Sequence, residues 1–357
     1  MKHILLPERG DSFGYYKANL HCHSTLSDGH KTPEELKKDY MSKGYSVICY
    51  TDHELFIPHP ELCEESFIAL NGVELGVAAT SADSGESKKV CHICLVAKDR
   101  NNILQPCFHR SLKYVGSKYR MNADKITVDE SKPDFERDYS KSSVNAMIKE
   151  ARKSGFFVTY NHPVWSEEGY TQFGEYEGMD AIEMSNYSCM VEGYDETASH
   201  CYEDLLRQGK KVYCICTDDN HNAHPDGHPL SDSYGGYTMI GAPFLGYEEI
   251  TASLEGGLFY SVACDGDSSG PDFLSVFIDD DAENDRGERI TKVYVKTSAV
   301  RSIDYCPCTR SNKRAAAFRG ESITEASFTV RPDEKWFRLV LTDDRGYKAY
   351  TNAFYLK

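Results

Sequence analysis

The chain has 357 residues, of which 40% are hydrophobic and 27% charged, a composition typical of a globular protein rather than a disordered one. Its formal net charge of −16 disfavours binding to a long nucleic-acid backbone, which needs clustered Lys and Arg. No apolar run approaches the ~20 residues that span a bilayer, and the first residues lack the apolar segment of a secretory signal. We therefore expect no membrane partner and no long nucleic acid as a partner.

The cysteine content indicates the compartment. Thirteen cysteines, an odd number, lie mostly in apolar runs such as VICY and VYCICT, where reduced cysteine behaves as a small buried hydrophobe. This pattern predicts a reducing, cytoplasmic setting. Cys214-x-Cys216 and Cys306-x-Cys308 have no second pair at zinc-knuckle spacing, so we expect no structural zinc on cysteine.

The first two thirds of the chain alternate apolar runs with helical patterns. The predicted strands are residues 18–20, 45–50, 67–75, 90–97, 155–160, 180–184 and 211–217. The predicted helices run from a Thr32 cap to Gly44, from Ser142 or Ser143 to Gly155, and from 198 to Gly209, because glycine follows the last apolar position of each. Alternating strands and helices predict a parallel sheet, and about seven repeats are enough to close a barrel.

The pattern changes near residue 245. After one last helical pattern at 247–257, short alternating runs rich in Val, Thr, Tyr and Phe follow at 273–280, 290–298, 301–306, 326–332, 336–344 and 346–356. They predict a small antiparallel β-domain of the sandwich type. We therefore expect two domains, residues 1–245 with an insertion at about 98–140, and residues 246–357.

Histidines and carboxylates recur where the predicted strands end, the rim on which barrel active sites are built. They are His21, His23, Asp52, His53, Glu74, His92, His162, Asp219 and His221, of which His92 lies on a predicted strand rather than at its end. Six histidines and three carboxylates exceed the three protein ligands of one catalytic zinc. The set therefore predicts two or three ions, and its mixture of imidazole and carboxylate suits Zn²⁺, Mn²⁺ or Fe²⁺ better than Mg²⁺ or Ca²⁺.

This series of motifs resembles that of the PHP (polymerase and histidinol phosphatase) metallohydrolases. The matching residues are His21-Cys22-His23-Ser24, Asp28, Thr51-Asp52-His53, Glu74, His92, Asn161-His162-Pro163 and Asp219-Asn220-His221, in the family's order over about residues 18–222. The TDDNH sequence and the β-rich tail resemble the subfamily that includes a carbamate-insecticide hydrolase. The resemblance implies a distorted seven-stranded (β/α) barrel with two or three metal ions.

The resemblance also implies a role for each matching residue. One ion would be held by His21, His23, Glu74 and Asp219. Glu74 would bridge it to a second ion, held also by His92 and His162. A third would be held by Asp28, His53 and His221, although some members of the family have a histidine at the Asp28 position. Asp52 would orient a ligand histidine through its other ring nitrogen.

Three residues are candidates for substrate binding. Asn186 follows a predicted strand, and His224 lies in a polar loop beside the proposed site. Arg110 lies within residues 98–125, which hold seven basic residues and two acids. That basic segment either attracts an anionic substrate or is a solvated loop, and Asn186 and His224 are alternatively ordinary polar residues of the surface.

Together these features predict a metal-dependent phosphoesterase acting on a small phosphomonoester or phosphodiester. A hydroxide bridging two ions would be the nucleophile, and Asp52, Glu74 and Asp219 are the catalytic candidates. An amide, ester or carbamate hydrolase with the same ions is the alternative. A silent metal-binding module that serves a partner through the β-domain is a third hypothesis.

Overall fold

The computed structural model describes residues 2–80, 87–195 and 197–356 as a mixed α/β protein with a large sheet and short helices. The strands are β1 Lys2–Leu6, β2 Gly14–Asn19, β3 Val47–Tyr50, β4 Ile68–Thr80, β5 Ser87–Ala97, β6 Phe156–Tyr160, β7 Ala181–Asn186, β8 Tyr213–Thr217, β9 Gly236–Ala242, β10 Phe259–Ala263, β11 Phe273–Glu283, β12 Arg289–Val300, β13 Ser302–Pro307, β14 Lys313–Ala316, β15 Ile323–Val330, β16 Trp336–Thr342, β17 Lys348–Thr351 and β18 Phe354–Tyr355. The α-helices are α1 Pro33–Ser42, α2 Lys141–Lys153, α3 Tyr170–Phe173, α4 Tyr187–Val191, α5 Ser199–Arg207 and α6 Tyr247–Gly256. Within these described ranges, no helix is both long and apolar enough to cross a bilayer.

The helix ends agree closely with the sequence pattern. The Thr32 hydroxyl accepts from Glu35 N at 3.3 Å, and the Glu35 carboxylate accepts from Thr32 N at 2.8 Å. This reciprocal capping box confirms the predicted start of α1. α2 begins slightly earlier than predicted, because Ser140 is its cap and accepts from Ser143 N at 3.2 Å.

The large sheet is mixed rather than parallel. Its hydrogen-bonded order is β14-β13-β16-β17-β10-β9-β2-β3-β4-β5-β6-β7-β8, with β18 on β16. β2–β3–β4 and β6–β7–β8 are parallel, as predicted. β5 is antiparallel to both β4 and β6. A parallel pair needs a crossover of a dozen residues or more, and only residues 81–86 separate β4 from β5 in the chain.

The predicted closed seven-stranded barrel is not found in the described part of the chain. The sheet curls until the ends of β2 and β8 meet, where Cys22 and Asn220 form an isolated bridge. His23 N donates to Asn220 O at 3.1 Å, and Asp219 N donates to His21 O at 3.0 Å. No ladder joins these two described strands, because the antiparallel β9 already occupies the free edge of β2.

The strands after residue 245 form antiparallel pairs, as predicted, but in two places. β10, β13, β14, β16 and β17 extend the large sheet, whereas β11, β12 and β15 join the N-terminal β1 in a four-stranded sheet. Buried side chains such as Phe273, Val295 and Phe337 form a core between the two sheets. The domain boundary near residue 245 stays a prediction. In the structure, strands from both sides of this position belong to the same large sheet.

A second core lies where α2 and α5 pack on the central strands. It includes Met147 and Ile148 from α2, Leu205 from α5 and Val158 from β6. Residues 98–140, between β5 and α2, contribute no strand to either described sheet and contain a 3₁₀ turn at Arg120–Lys125. We call residues 98–140 the insertion. These packed layers leave the ends of β2, β3, β6 and β8 free to carry the side chains described next.

Candidate metal centre

Glu74, on β4, lies at the centre of a histidine cluster and is 1% exposed. Five imidazoles face its carboxylate: His21 Nε2 at 3.2 Å, His92 Nδ1 at 3.1 Å and His162 Nε2 at 3.4 Å from Oε1, and His53 Nδ1 at 2.9 Å and His23 Nε2 at 3.5 Å from Oε2. They come from four different loop or strand segments. The sheet therefore gathers residues that are far apart in sequence around one carboxylate.

Asp219 completes a second group of donor atoms. Its Oδ1 lies 3.1 Å from His21 Nε2 and 3.0 Å from His23 Nε2, and these two nitrogens are 3.1 Å apart. Ligands about 2.1 Å from a tetrahedral zinc ion lie roughly 3.4 Å from each other. The spacing of this group is therefore close to that of atoms sharing one ion.

A third group lies nearer the surface. Asp28 Oδ2 is 3.6 Å from His53 Nε2, and Asp28 Oδ1 is 3.6 Å from His221 Nε2. His221 Nδ1 lies 2.9 Å from Asp219 O, so a proton on Nδ1 leaves the Nε2 lone pair facing Asp28. His23 belongs to this group as well as to the previous one.

The donor set fits divalent cations. Glu74 Oε2 and Asp219 Oδ1 are buried and accept no well-aligned hydrogen bond from the described residues, although imidazole nitrogens lie about 3 Å from each oxygen. A buried anionic oxygen without a partner is costly, and a cation between these oxygens and the imidazoles would satisfy both. The atoms that could hold an ion group as His21, His23 and Asp219, as His53, Glu74 and His92, as His23, Asp28, His53 and His221, and as His21, Glu74 and Cys94.

Glu183, which the sequence analysis missed, orients the cluster from behind. His21 Nδ1 donates to Glu183 Oε1 at 2.7 Å, and His162 N donates to Glu183 Oε2 at 2.8 Å. Such a carboxylate fixes the imidazole tautomer and leaves Nε2 free for a metal. One feature of the sequence could have identified Glu183, namely an acidic residue inside the apolar strand DAIEM. A carboxylate that is buried in such a strand needs a partner.

Asp52 has a different role from the predicted one. Its carboxylate accepts from Ser24 N at 2.8 Å and Ser27 N at 3.1 Å, and from both serine hydroxyls. These bonds hold the turn that leads to Asp28. The prediction that Asp52 orients a ligand histidine is therefore corrected, because the N–H groups of this turn converge on the carboxylate instead.

The charges of the cluster shift its pKa values. Burial disfavours a charged imidazole, but the Glu74 and Asp28 carboxylates outweigh it and raise the pKa of His53 to about 9. Burial is likewise outweighed at His162, whose hydrogen bond with Glu74 raises its pKa to about 9. Burial and repulsion by His221 lower the pKa of His23 to about 4. Without bound metal, protons on some imidazoles therefore balance the negative charge of the buried carboxylates.

The three substrate-binding candidates lie outside the wall of the cavity. Asn186 is buried and donates to Glu183 Oε2 at 3.0 Å and Asp219 Oδ2 at 3.1 Å, so it supports the cluster from behind. His224 stacks on His228 with ring centroids 4.3 Å apart. Arg110 is exposed and pairs with Asp134 at 2.8 Å and Glu130 at 3.4 Å.

A cavity of about 300 Å³ opens above the cluster. Its lining residues are Asp28, His53, Glu74, His92, His162, Trp165, Ser188, Cys189, Glu192, Asp219 and His221. The Trp165 ring packs against His162, with centroids 4.8 Å apart. None of these described lining residues is Lys or Arg, so within this wall positive charge comes from protonated imidazoles or would come from bound metal.

The fold and site thus define a mixed α/β protein with a buried histidine–carboxylate cluster under a cavity. The chain is similar to a two-domain protein containing a predicted PHP-like metal-dependent phosphoesterase from Bacteroides vulgatus, at 16% identity over 98% of both chains and a TM-score of 0.45. It is also similar to an amidohydrolase from Chromobacterium violaceum, at 16% identity over 57% of this chain and 87% of that one, with a TM-score of 0.37. No family model and no curated protein matches the chain.

Proposed function

We propose that the protein is a metal-dependent hydrolase of the PHP type, with two or three Zn²⁺, Mn²⁺ or Fe²⁺ ions bound at the cluster. The observation that carries the proposal is Glu74, a buried carboxylate faced by five imidazoles, one of whose oxygens accepts no well-aligned hydrogen bond from the described residues. His21, His23 and Asp219 would hold one ion, and Glu74 would bridge it to a second ion beside His92. Asp28, His53 and His221 would hold a third.

The bound ions would lower the pKa of a coordinated water and polarise the bond to be cleaved. The chain's own residues prepare the site for this chemistry. Glu183 and Asn186 hold His21 and Asp219 in place from behind. The curled sheet buries the cluster on the protein side and leaves one face open to the cavity, so that a substrate reaches the ions from one direction.

Hydrolysis of a small phosphomonoester or phosphodiester is the first candidate reaction. Adjacent ions can hold phosphoryl oxygens and neutralise the charge that develops on them. The basic segment 98–125 does not support this choice, because Arg110 and Lys113 pair with Asp134, Glu130 and Glu136 in the same insertion. The proposal of a phosphoester substrate therefore rests on the candidate metal ligands alone.

Hydrolysis of an amide, ester or carbamate is the second candidate, and one observation favours it. The described lining has no Lys or Arg and includes the exposed carboxylate of Glu192. Such a wall suits a neutral carbonyl substrate better than a phosphomonoester dianion. Membership of the subfamily that includes a carbamate hydrolase would agree with this candidate.

We also propose a cytoplasmic location. Nine of the thirteen cysteines are buried, as is typical of reduced cysteines that serve as small hydrophobes in a reducing compartment.

The proposal is tested by measuring metal content and then activity. The purified protein is loaded with Mn²⁺ or Zn²⁺ and assayed on a phosphomonoester, a phosphodiester, a carboxylic ester and a carbamate, with Asp219→Asn as the inactive control. If the metal-loaded wild type hydrolyses one substrate class and the variant does not, the protein is supported as a hydrolase. The class that is hydrolysed selects between the two candidate reactions. A protein that binds no divalent ion contradicts the proposal.

A further inference from the structure

The third donor group is the least enclosed part of the cluster. The side chains of Asp28 and His221 are 39% and 28% exposed, whereas that of His21 is 1% exposed. Packing therefore fixes His21, but the exposed group needs another source of rigidity. A ligand that moves between conformations binds a metal more weakly, because ordering it costs conformational entropy.

A buried ion pair links the insertion to the segment that carries His53. Arg137, at the end of the insertion, is paired with Glu54, and its side chain is 1% exposed. The Arg137 guanidinium also packs over the ring of Tyr114, 4.2 Å from its centroid. Breaking one side of a buried pair is strongly destabilising, so this contact holds the insertion firmly in one place.

Glu54 transmits this anchoring to His53, its neighbour in the chain. Glu54 N donates to Glu74 O at 2.8 Å, and Glu54 Oε1 accepts from Gly76 N at 3.0 Å. The residue also has a left-handed φ of 63°, which a non-glycine residue keeps only when its surroundings impose it. The Arg137–Glu54 pair thus clamps the backbone beside His53 against β4.

Two further contacts reach the same donor group. Asn122 Nδ2 donates to Leu26 O at 2.9 Å, on the turn that leads to Asp28. The Tyr119 ring lies over His53, with centroids 6.4 Å apart and planes within 20°. The insertion therefore touches the segments of both Asp28 and His53, and none of the contacts described above involves His21 or Asp219.

We propose that the insertion builds the third metal subsite, with Arg137 as a positioning residue that acts on His53 through Glu54. This inference rests on the proposed function, since it requires ions at the cluster. Weakening the Arg137–Glu54 pair lowers the affinity of the ion held by Asp28, His53 and His221. It leaves the ion held by His21, His23 and Asp219 unchanged.

The test is a metal titration of the full chain with Mn²⁺, read by calorimetry and by metal content after dialysis. The variants are Arg137→Met and the milder Asn122→Ala, which keeps the buried pair. Lys132→Gln is the matched control, because Lys132 lies on the same insertion and its side chain is 50% exposed, where it pairs with Glu150 of α2. We expect the weakest site to lose at least about ten-fold in affinity in Arg137→Met and less in Asn122→Ala, as is typical for groups that orient metal ligands.

Each outcome is informative. Unchanged affinity in both variants overturns the inference, and so does an equal loss at all sites. If Arg137→Met fails to fold, Asn122→Ala alone decides. A wild type that binds only two ions overturns the inference and leaves the hydrolase proposal standing, whereas a wild type that binds none contradicts the proposed function itself.

Discussion

His21 Nδ1 donates a hydrogen bond of 2.7 Å to Glu183 Oε1, across 162 positions of sequence. The bond turns the opposite nitrogen of the ring toward Asp219 and Glu74. Both partners are almost fully buried, so water does not compete for either. The orientation of the first histidine therefore depends on a carboxylate from a different strand, β7.

Glu183→Gln should weaken metal binding without unfolding the protein. The amide keeps the shape of the side chain but loses the charge that holds His21 in one tautomer, and such changes typically cost about 10–100-fold in metal affinity. Competition with a chromogenic zinc chelator measures the effect. Glu177→Gln, on an exposed carboxylate, is the control, and equal affinities in the two variants would refute the orienting role.

Asp219→Asn should abolish hydrolysis in a protein that remains folded. Its Oδ1 lies about 3 Å from two imidazole nitrogens, and an amide binds a divalent cation far more weakly than a carboxylate does. Circular dichroism checks the fold, and activity is compared with that of the wild type. Activity near the wild-type level in a folded variant would mean that the first ion is wrongly assigned.

Metal affinity should rise with pH up to about 9. His53 and His162 have pKa values raised to about 9 by the carboxylates around them, so at neutral pH both carry a proton that a metal must displace. Lower pH therefore favours the protonated, metal-free form. Calorimetry in buffers of different ionisation enthalpy counts the protons released. No proton release at neutral pH would show that these imidazoles are not ligands.

Glu192→Gln should distinguish the two substrate classes. Its carboxylate lines the cavity, and one charge at ~8 Å in water is worth about 0.5 kcal/mol, or roughly two-fold in affinity. Removing it should raise kcat/KM about two-fold per substrate charge for a phosphoester, mainly through KM, and leave a neutral ester unaffected. The distant Glu321→Gln is the control. A loss of kcat in the variant would instead assign Glu192 a part in the reaction.

The sequence predicted the parts of the fold that local chemistry determines. The Thr32 cap of α1 and the strand positions follow from residue spacing and capping side chains. The direction of β5 did not, because an apolar run such as VCHICLVA has the same pattern in a parallel or an antiparallel strand. The sequence also did not predict that the barrel stays open, because closure depends on which strand pairs with the free edge of β2.

In the candidate site too, residues within local motifs could be predicted, whereas residues whose role depends on distant contacts could not. The structure brings the nine predicted ligands to one cluster because they follow or lie on neighbouring strands, although their binding of metal stays a prediction. Glu183 was missed because a single acidic residue in a strand has no motif of its own. Arg110 was selected on the charge of residues 98–125, whereas its acidic partners at 130 and 134 lie just beyond that window.

The central claim, a carboxylate that bridges two ions, is tested most directly by counting metal ions per chain in the wild type and in Glu74→Ala. Mass spectrometry of the metals after dialysis gives both numbers, and circular dichroism confirms that the variant is folded. A bridging Glu74 predicts two or three ions in the wild type and the loss of more than one in the variant. A wild type with a single ion, or a variant that loses one ion or fewer, would contradict the claim.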